Sequence, residues 1–342
     1  MTMPRSVLVY APSWIGDAVM SLGALRALRE NYPDARLSVL TRPWVQDLYD
    51  GCAVVDDAIL YDPRGADRGA AGFMRAARRV RQGRFDVAVL FPNAFRAAAL
   101  VRASGVPERW GYATESRGLL LTKRVPPAPR PFGRHQSHYY LDLLSGLALE
   151  VTEPDTTLTA TTSMRDAART LLGRNGWNGG ALVGVHPGAT NNHAKLWKAS
   201  RFAEVARKIA EVRSAQVVIL GGTTEGELAA EVQRGLPSDV ALMLQGKTSL
   251  ADLMGVLAEL SVFLSNDSGP MHLAAALGVR TVAVFGPTDA RETGPASAHA
   301  RVVREPVECS PCVYRDCPID HRCMERITSE RVYDEASALV SR

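Results

Sequence analysis

The sequence predicts an α/β protein of two doubly wound domains, each a parallel sheet covered by helices on both faces. Three observations carry that prediction. Short apolar runs alternate with longer stretches of helical spacing, the alternation lapses at residues 150–163, and it then begins again. Each half also opens with a strand running into a loop that contains proline or glycine, Ala11-Pro12 in one and His186-Pro187-Gly188 in the other. Strands separated by helices favour parallel pairing, because each crossover lays its helix on a face of the sheet. At 342 residues the chain is too long for one ordinary core, and two domains of roughly 150 residues each follow.

In the first half, Val7–Ala11 is the opening strand, and Asp17–Asn31 is a helix with Val19, Leu22, Leu25 and Leu28 on its apolar side. Leu37–Leu40, Ala58–Tyr61 and Asp86–Phe91 are the next strands, and Phe73–Arg81 and Ala94–Arg102 are helices. Pro126–Pro131 is a proline-rich loop, too stiff and polar for an element interior. Tyr139–Leu149 closes the domain as a helix, and residues 150–163 read as an interdomain connection.

The second half gives a helix at 164–174, strand Leu182–His186, helix Arg201–Val212 and strand Gln216–Leu220. A helix near 225–234, a strand near 241–245 and a helix at 249–259 lead to strands Ser261–Ser265 and Thr281–Phe285. The expected division is a first domain over 1–155, a second over 156–325, and a C-terminal helix over 326–342 that packs back on the first domain. The halves are an architectural repeat, two Rossmann-like domains. No G-x-G-x-x-G follows either opening strand, so a dinucleotide dehydrogenase lacks support.

With 46% apolar and 22% charged residues, the chain has ordinary globular proportions. No apolar stretch approaches the ~20 residues that cross a bilayer, and Val7–Ala11 is too short for a signal-peptide core. The expectation is a cytoplasmic protein whose five cysteines stay reduced. Charge is uneven: residues 1–150 carry 20 Lys+Arg against 14 Asp+Glu, and the remainder 20 against 22. Nineteen of those first twenty cations are arginine, the side chain suited to forked contacts with phosphate and carboxylate. Codon usage alone would produce that count; a domain facing an anionic partner would use it.

The most informative segment is Ser265-Asn266-Asp267-Ser268-Gly269-Pro270-Met271-His272. It joins an apolar strand to a helix start, the corner at which ligands of open α/β sheets bind. Asp267 or Ser268 can cap the helix, and the N–H groups behind Gly269 suit an anion. His272, one turn deeper, is either a phosphate contact or a core histidine. His186-Pro-Gly-Ala-Thr190, followed by Lys195-Leu-Trp197, offers small residues for close approach, a hydroxyl at Thr190 and a point charge at Lys195. After the next strand, Gly221-Gly222 precede Glu225 and Glu227, either of which can accept from ribose hydroxyls, and Met243 is core or a neighbour of the base.

In the first half, Ser13-Trp14-Ile15-Gly16-Asp17 ends the first loop and starts a helix. Gly16 permits a sharp turn. A carboxylate at Asp17 gains about 0.3–1 kcal/mol from the helix dipole with no catalysis required. The same dipole lowers its pKa, whereas apolar neighbours such as Trp14 raise it. Phe91-Pro92-Asn93-Ala94-Phe95-Arg96 ends a later strand, and Arg96 and Arg117 are candidates for acidic groups of a substrate.

These segments resemble the heptosyltransferases that build the inner core of lipopolysaccharide. The resemblance covers nearly the whole chain through residues 13–17, 186–197 and 265–272, with 91–96 and Phe285-Gly286-Pro287-Thr288 as weaker parts. It implies the GT-B plan, its two sheets facing a central cleft, and an inverting transfer that requires no cofactor or catalytic metal. ADP-heptose would be the donor and Asp17 the general base. Thr190, Lys195, Glu225, Glu227, Ser265, Asp267, Ser268, Gly269 and His272 would hold the donor, and Ser13, Gly16, Asn93, Arg96 and Arg117 would face the acceptor. The 91–96 segment is similar to one in members that extend the first heptose, except that Ala94 stands where serine is usual. The implied acceptor is a heptosylated Kdo-lipid A at the inner face of the cytoplasmic membrane, met by a monomer with no nucleic-acid partner. A member acting on Kdo-lipid A itself and a nucleotide-sugar epimerase are rival readings.

Cys309, Cys312, Cys317 and Cys323 form a C-x2-C-x4-C-x5-C pattern that encloses His321. That spacing suits a tetrahedral structural zinc, reduced thiols packed in a loop, or a disulfide, and leaves the three open. A zinc-dependent binding module is a further alternative. It predicts a steeply salt-dependent affinity for nucleic acid, yet the basic stretches lack interleaved aromatics. Cys52 stands alone and reads as core.

Overall fold

The computed structural model describes residues 3–114, 116–127, 131–190, 192–312 and 314–340. Residues 128–130 of the proline-rich loop, Asn191 and Val313 lie outside the described residues. The chain divides into two compact units, 1–156 and 157–342.

In the first unit, β1 (Ser6–Tyr10) leads to α1 (Ile15–Met20), α2 (Leu22–Asn31), β2 (Arg36–Thr41), α3 (Gln46–Asp50) and β3 (Asp57–Leu60). Next come α4 (Gly69–Gln82), β4 (Val87–Leu90), α5 (Phe95–Ser104), β5 (Glu108–Tyr112), β6 (Lys123–Val125) and α6 (Ser137–Gly146). The strands form one parallel sheet in the order β3-β2-β1-β4-β5-β6. Strand side chains alternate between faces. Leu8, Tyr10, Leu40, Ala88 and Leu90 therefore join Ala76, Ala77 and Val80 of α4 and Ala97, Ala98 and Val101 of α5 in one cluster. Val7, Val9, Val87 and Val89 point to the opposite face and are equally buried. The helix expected over 17–31 is interrupted at Ser21, whose Oγ donates back to the Ala18 carbonyl at 2.8 Å, a bond that bends helices.

The second unit contains α7 (Thr162–Arg174), β7 (Leu182–His186), α8 (Ala199–Arg213), β8 (Gln216–Ile219), α9 (Gly226–Arg234), β9 (Ala241–Met243) and α10 (Leu250–Leu257). It continues with β10 (Val262–Asn266), α11 (Gly269–Ala276), β11 (Thr281–Phe285), α12 (Ala290–Thr293), β12 (Ala300–Arg304), α13 (Arg322–Glu325) and α14 (Ser329–Val340). Its strand order is β12-β11-β10-β7-β8-β9, again parallel. In each sheet the first and fourth strands are neighbours, β1 with β4 and β7 with β10. That is the switch point at which ligands of such sheets bind.

The C-terminal helix departs from the expectation that it packs back on the first domain. Val332, Ala336 and Leu339 of α14 are buried in the second unit's own core, with Phe202, Val205 and Ile209 of α8 and Val282 and Val284 of β11. The apolar stripe of α14 is covered there.

α7 and α10 approach each other closely. A Cβ on Gly255 would lie 2.2 Å from the Met164 carbonyl oxygen. Gly255→Ala must part the two helices, and the expected loss is on the order of 1–3 kcal/mol, read as a lower denaturation midpoint. An unchanged midpoint would show that the helices separate freely.

Candidate active site

The carboxyl ends of β7 and β10 carry the two loops that the sequence singles out. Asn266 is fully buried. Its Nδ2 donates to the Pro187 carbonyl at 2.7 Å, and its Oδ1 accepts from the Trp197 N–H at 3.0 Å. One amide thus ties both ends of the loop that carries Lys195. Trp197 is locked in turn, its indole N–H donating to the Ile327 carbonyl at 3.0 Å.

Lys195 Nζ reaches Asp267 Oδ2 at 2.7 Å, and Thr288 Oγ1 donates to the same oxygen at 2.6 Å. Asp267 is 5% exposed and Lys195 22%. The carboxylate fixes the ammonium and leaves the helix uncapped. Ser268 occupies the N-cap of α11, but its Oγ pairs with Ser265 Oγ at 3.0 Å, so the first turn from Gly269 has no side-chain cap. Uncapped N–H groups at a helix start favour an anion. His272 is buried within α11.

Glu225 and Glu227 separate. Glu227 is exposed on α9. Glu225 lies in the preceding turn, where its Oε2 accepts from the Gly222 N–H at 2.7 Å and faces His186 Nε2 at 3.4 Å. Burial alone would raise its pKa, but the His186 ring and the Gly222 N–H hold the carboxyl below its ordinary value. Glu225 Oε1 is buried and unpartnered among the described residues. It has room only because residue 188 is glycine, since a Cβ on Gly188 would sit 1.9 Å away. Thr190 is exposed, and Met243 packs against the core.

The first unit presents a basic, aromatic edge. Gly16 and Asp17 lie in the first turn of α1. The Tyr140 hydroxyl has its pKa raised by burial and then by the Asp17 carboxylate nearby. Ser13 Oγ accepts from Arg42 Nε at 3.1 Å, and the Ser13 carbonyl accepts from Trp44 Nε1 at 2.9 Å. Arg42 lies over the Tyr61 ring, 5.2 Å from its centre, and Arg96 Nε donates to the Tyr61 hydroxyl at 2.7 Å. Two guanidinium groups therefore flank one tyrosine.

Arg117 corrects the sequence reading. It is fully buried, and its guanidinium donates to the Tyr112 carbonyl at 2.8 Å, to Asn93 Oδ1 at 3.0 Å and to the Pro92 carbonyl. It braces the Pro92-Asn93 loop and presents no cation to an acceptor. Asn93 passes the support on by donating to the Tyr139 hydroxyl.

Residues 73–322 match the family model of glycosyltransferase family 9 (heptosyltransferase). The chain belongs to this family. It is similar to lipopolysaccharide heptosyltransferase 2 of Salmonella typhimurium, at 30% identity over 98% of both chains, and of Escherichia coli K12, at 29% over 98% of both. Among solved structures, an E. coli ADP-heptose lps heptosyltransferase II aligns with a TM-score of 0.83 and 26% identity over 98% of both chains. A glycosyltransferase family 9 protein from Veillonella parvula aligns at 0.85, with 22% identity over 100% of this chain and 98% of the other. The two parallel sheets are those of the GT-B fold.

In this family 9 glycosyltransferase the cysteine-rich segment buttresses the loops that follow β7 and β11. The Cys312 N–H donates to the Pro287 carbonyl at 2.7 Å, and Ser310 Oγ to the Gly286 carbonyl at 2.6 Å. The Ala194 N–H donates to the Arg315 carbonyl at 2.8 Å, and His321 Nε2 lies 2.6 Å from the Ala194 carbonyl. One segment thus holds both the turn before Lys195 and the loop of Thr288. The four cysteines form no disulfide. The four cysteines line a common pocket, yet among the described residues no three His, Cys, Asp or Glu side chains are placed to hold a metal ion. Hydrogen bonds to these two loops set the course of the segment. The Cys323 thiol is pushed up to about 11 by burial and then by the other three cysteines.

Sequence reading passes over Asn266 and Arg42. The available signal for Asn266 is an amide at the end of an apolar strand, where a buried polar group must find partners. Asn266→Ala orphans the Pro187 carbonyl and the Trp197 N–H, at a cost on the order of 1–3 kcal/mol for each. A lowered melting midpoint and weaker ADP binding are expected together, from thermal denaturation and titration calorimetry. Normal ADP affinity in the folded variant would show that Asn266 does not position Lys195.

Proposed function

We propose that this chain is an inverting heptosyltransferase that moves a heptose from ADP-heptose to the first heptose of the lipopolysaccharide inner core. The acceptor is carried on Kdo-lipid A, and the enzyme works as a monomer, peripheral to the inner face of the cytoplasmic membrane, without a nucleic-acid partner. The whole-length likeness to proteins named lipopolysaccharide heptosyltransferase 2 supports this reading over the other members considered.

The second unit takes the donor. Lys195, held by Asp267, meets the diphosphate together with the N–H groups at the start of α11 and the hydroxyls of Ser268 and Thr190. Glu225 rather than Glu227 accepts from a ribose hydroxyl, a reading that its unsatisfied Oε1 supports. Ser265 and His272 support the corner from within, and Gly269 keeps its backbone accessible. Asp17 takes the proton from the attacking hydroxyl. The freed oxygen bonds to the anomeric carbon opposite the diphosphate, the bond to ADP breaks, and configuration inverts. Lys195 stabilises the charge that collects on the departing ADP, and no metal cofactor enters the step. Ser13, Gly16, Asn93 and Arg96 form the acceptor edge, joined by Arg42.

The test is incubation with ADP-heptose and Kdo-lipid A, with and without the first heptose. Product is expected on the heptosylated acceptor alone. Asp17→Asn is expected to lower kcat by about 10²–10⁴-fold while ADP affinity holds. Transfer to the unheptosylated acceptor would overturn the acceptor assignment, and undiminished turnover in the variant would overturn the base.

A further inference from the structure

Several arginines of the first unit face a carboxylate. Arg26, Arg29, Arg36 and Arg134 pair with Asp155, Asp56, Asp57 and Asp142. α4 and α5 contain no acidic residue at all. On and around them Arg68, Arg75, Arg78, Arg81, Arg84 and Arg102 are exposed, and none has a carboxylate partner among the described residues. Arg75 and Arg81 donate only to the carbonyls of Ala66 and Ser104, which leave the charge in place. Arg79 is ion-paired there with Asp67 at 2.6 Å, a carboxylate whose pKa Arg75 also lowers from farther off. α8 of the second unit shows the ordinary alternative, with Arg201, Arg207 and Lys208 each beside a glutamate.

The same surface displays apolar side chains. Met74 is 47% exposed, Phe95 51% and Leu119 85%. Met74, Arg75, Arg78 and Arg81 follow one another at helical spacing on the side of α4 opposite Ala76, Ala77 and Val80. α5 packs beside α4, and the turn Arg117–Leu120 that carries Leu119 packs on α5. Unneutralised cations attract any polyanion, but exposed Met, Phe and Leu gain free energy only where they can leave water. Cations with interspersed apolar side chains fit the headgroup boundary of a bilayer.

We propose that the α4–α5 face of the first unit docks on an anionic phospholipid bilayer. Phe95 and Arg96 stand at the start of α5, directly after the Pro92-Asn93 loop, so docking sets the acceptor edge beside the membrane surface. The biological purpose rests on the reading that the acceptor is lipid-anchored; the binding itself does not.

The test is co-sedimentation of the full chain with vesicles lacking any acceptor. One set is phosphatidylcholine alone, and the other is three parts phosphatidylcholine to one part phosphatidylglycerol. Binding is expected on the anionic set only and weakens as salt rises. Removing two charges in the double variant Arg75→Gln, Arg78→Gln is expected to weaken it roughly 30-fold at low salt. Leu119→Ser is expected to weaken vesicle binding several-fold without changing retention on immobilised heparin. Wild-type protein that ignores anionic vesicles would overturn the proposal. So would a folded double variant that binds them normally, or a Leu119→Ser variant that loses nothing on vesicles, which would mark the face as a general polyanion or nucleic-acid site. Transfer to a deacylated, water-soluble acceptor is expected to be unchanged in the double variant. Absence of that transfer in the wild type would count against the proposed reaction and leave the vesicle result standing.

Discussion

The corner between β7, β10 and β11 depends on two adjacent side chains at the end of β10. Asn266 bonds backbone groups on both sides of the Lys195 loop, and Asp267 accepts from Lys195 and from Thr288 after β11. Buried polar groups are costly unless paired, so these bonds leave the loops following β7, β10 and β11 one satisfied arrangement. The cysteine-rich segment then holds two of those loops from the other side through Gly286, Pro287 and Ala194. In the proposed reaction, an ammonium fixed in this way needs little reorganisation as the leaving group gathers charge.

The first unit repeats the device with different atoms. β4 is its fourth strand, as β10 is the fourth of the second unit, and each is followed by or ends in an asparagine whose amide both donates and accepts. Around Asn93 the partners are side chains, Arg117 and Tyr139; around Asn266 they are backbone groups. Elsewhere in the first unit, Arg42 and Arg96 likewise meet a side chain, that of Tyr61.

Most of the architecture is legible in the sequence because the central strands are buried on both faces and read as unbroken apolar runs. β5, β6 and β12 escape, since Glu-Arg-Trp-Gly-Tyr, Lys-Arg-Val and Ala-Arg-Val-Val-Arg carry charge, the last two on edge strands and the first beside one. The 265–272 corner is legible because strand, small residues and helix start are contiguous. What stays hidden depends on partners far along the chain. Arg117 looks like a surface cation until the carbonyls of Pro92 and Tyr112 close around it. The buried setting of Glu225, which Glu227 lacks, depends on His186 far earlier in the chain.

The role of Asp267 is where two physical expectations have opposite signs. A carboxylate near a diphosphate repels it, so simple charge counting has Asp267→Asn bind ADP more tightly. If Asp267 serves to hold Lys195, the same variant binds ADP more weakly although the site has gained a unit of positive charge. Calorimetric titration of ADP into wild-type and Asp267→Asn protein decides between them. Weaker binding in the variant is predicted, and tighter binding would contradict the role assigned to the β10 corner.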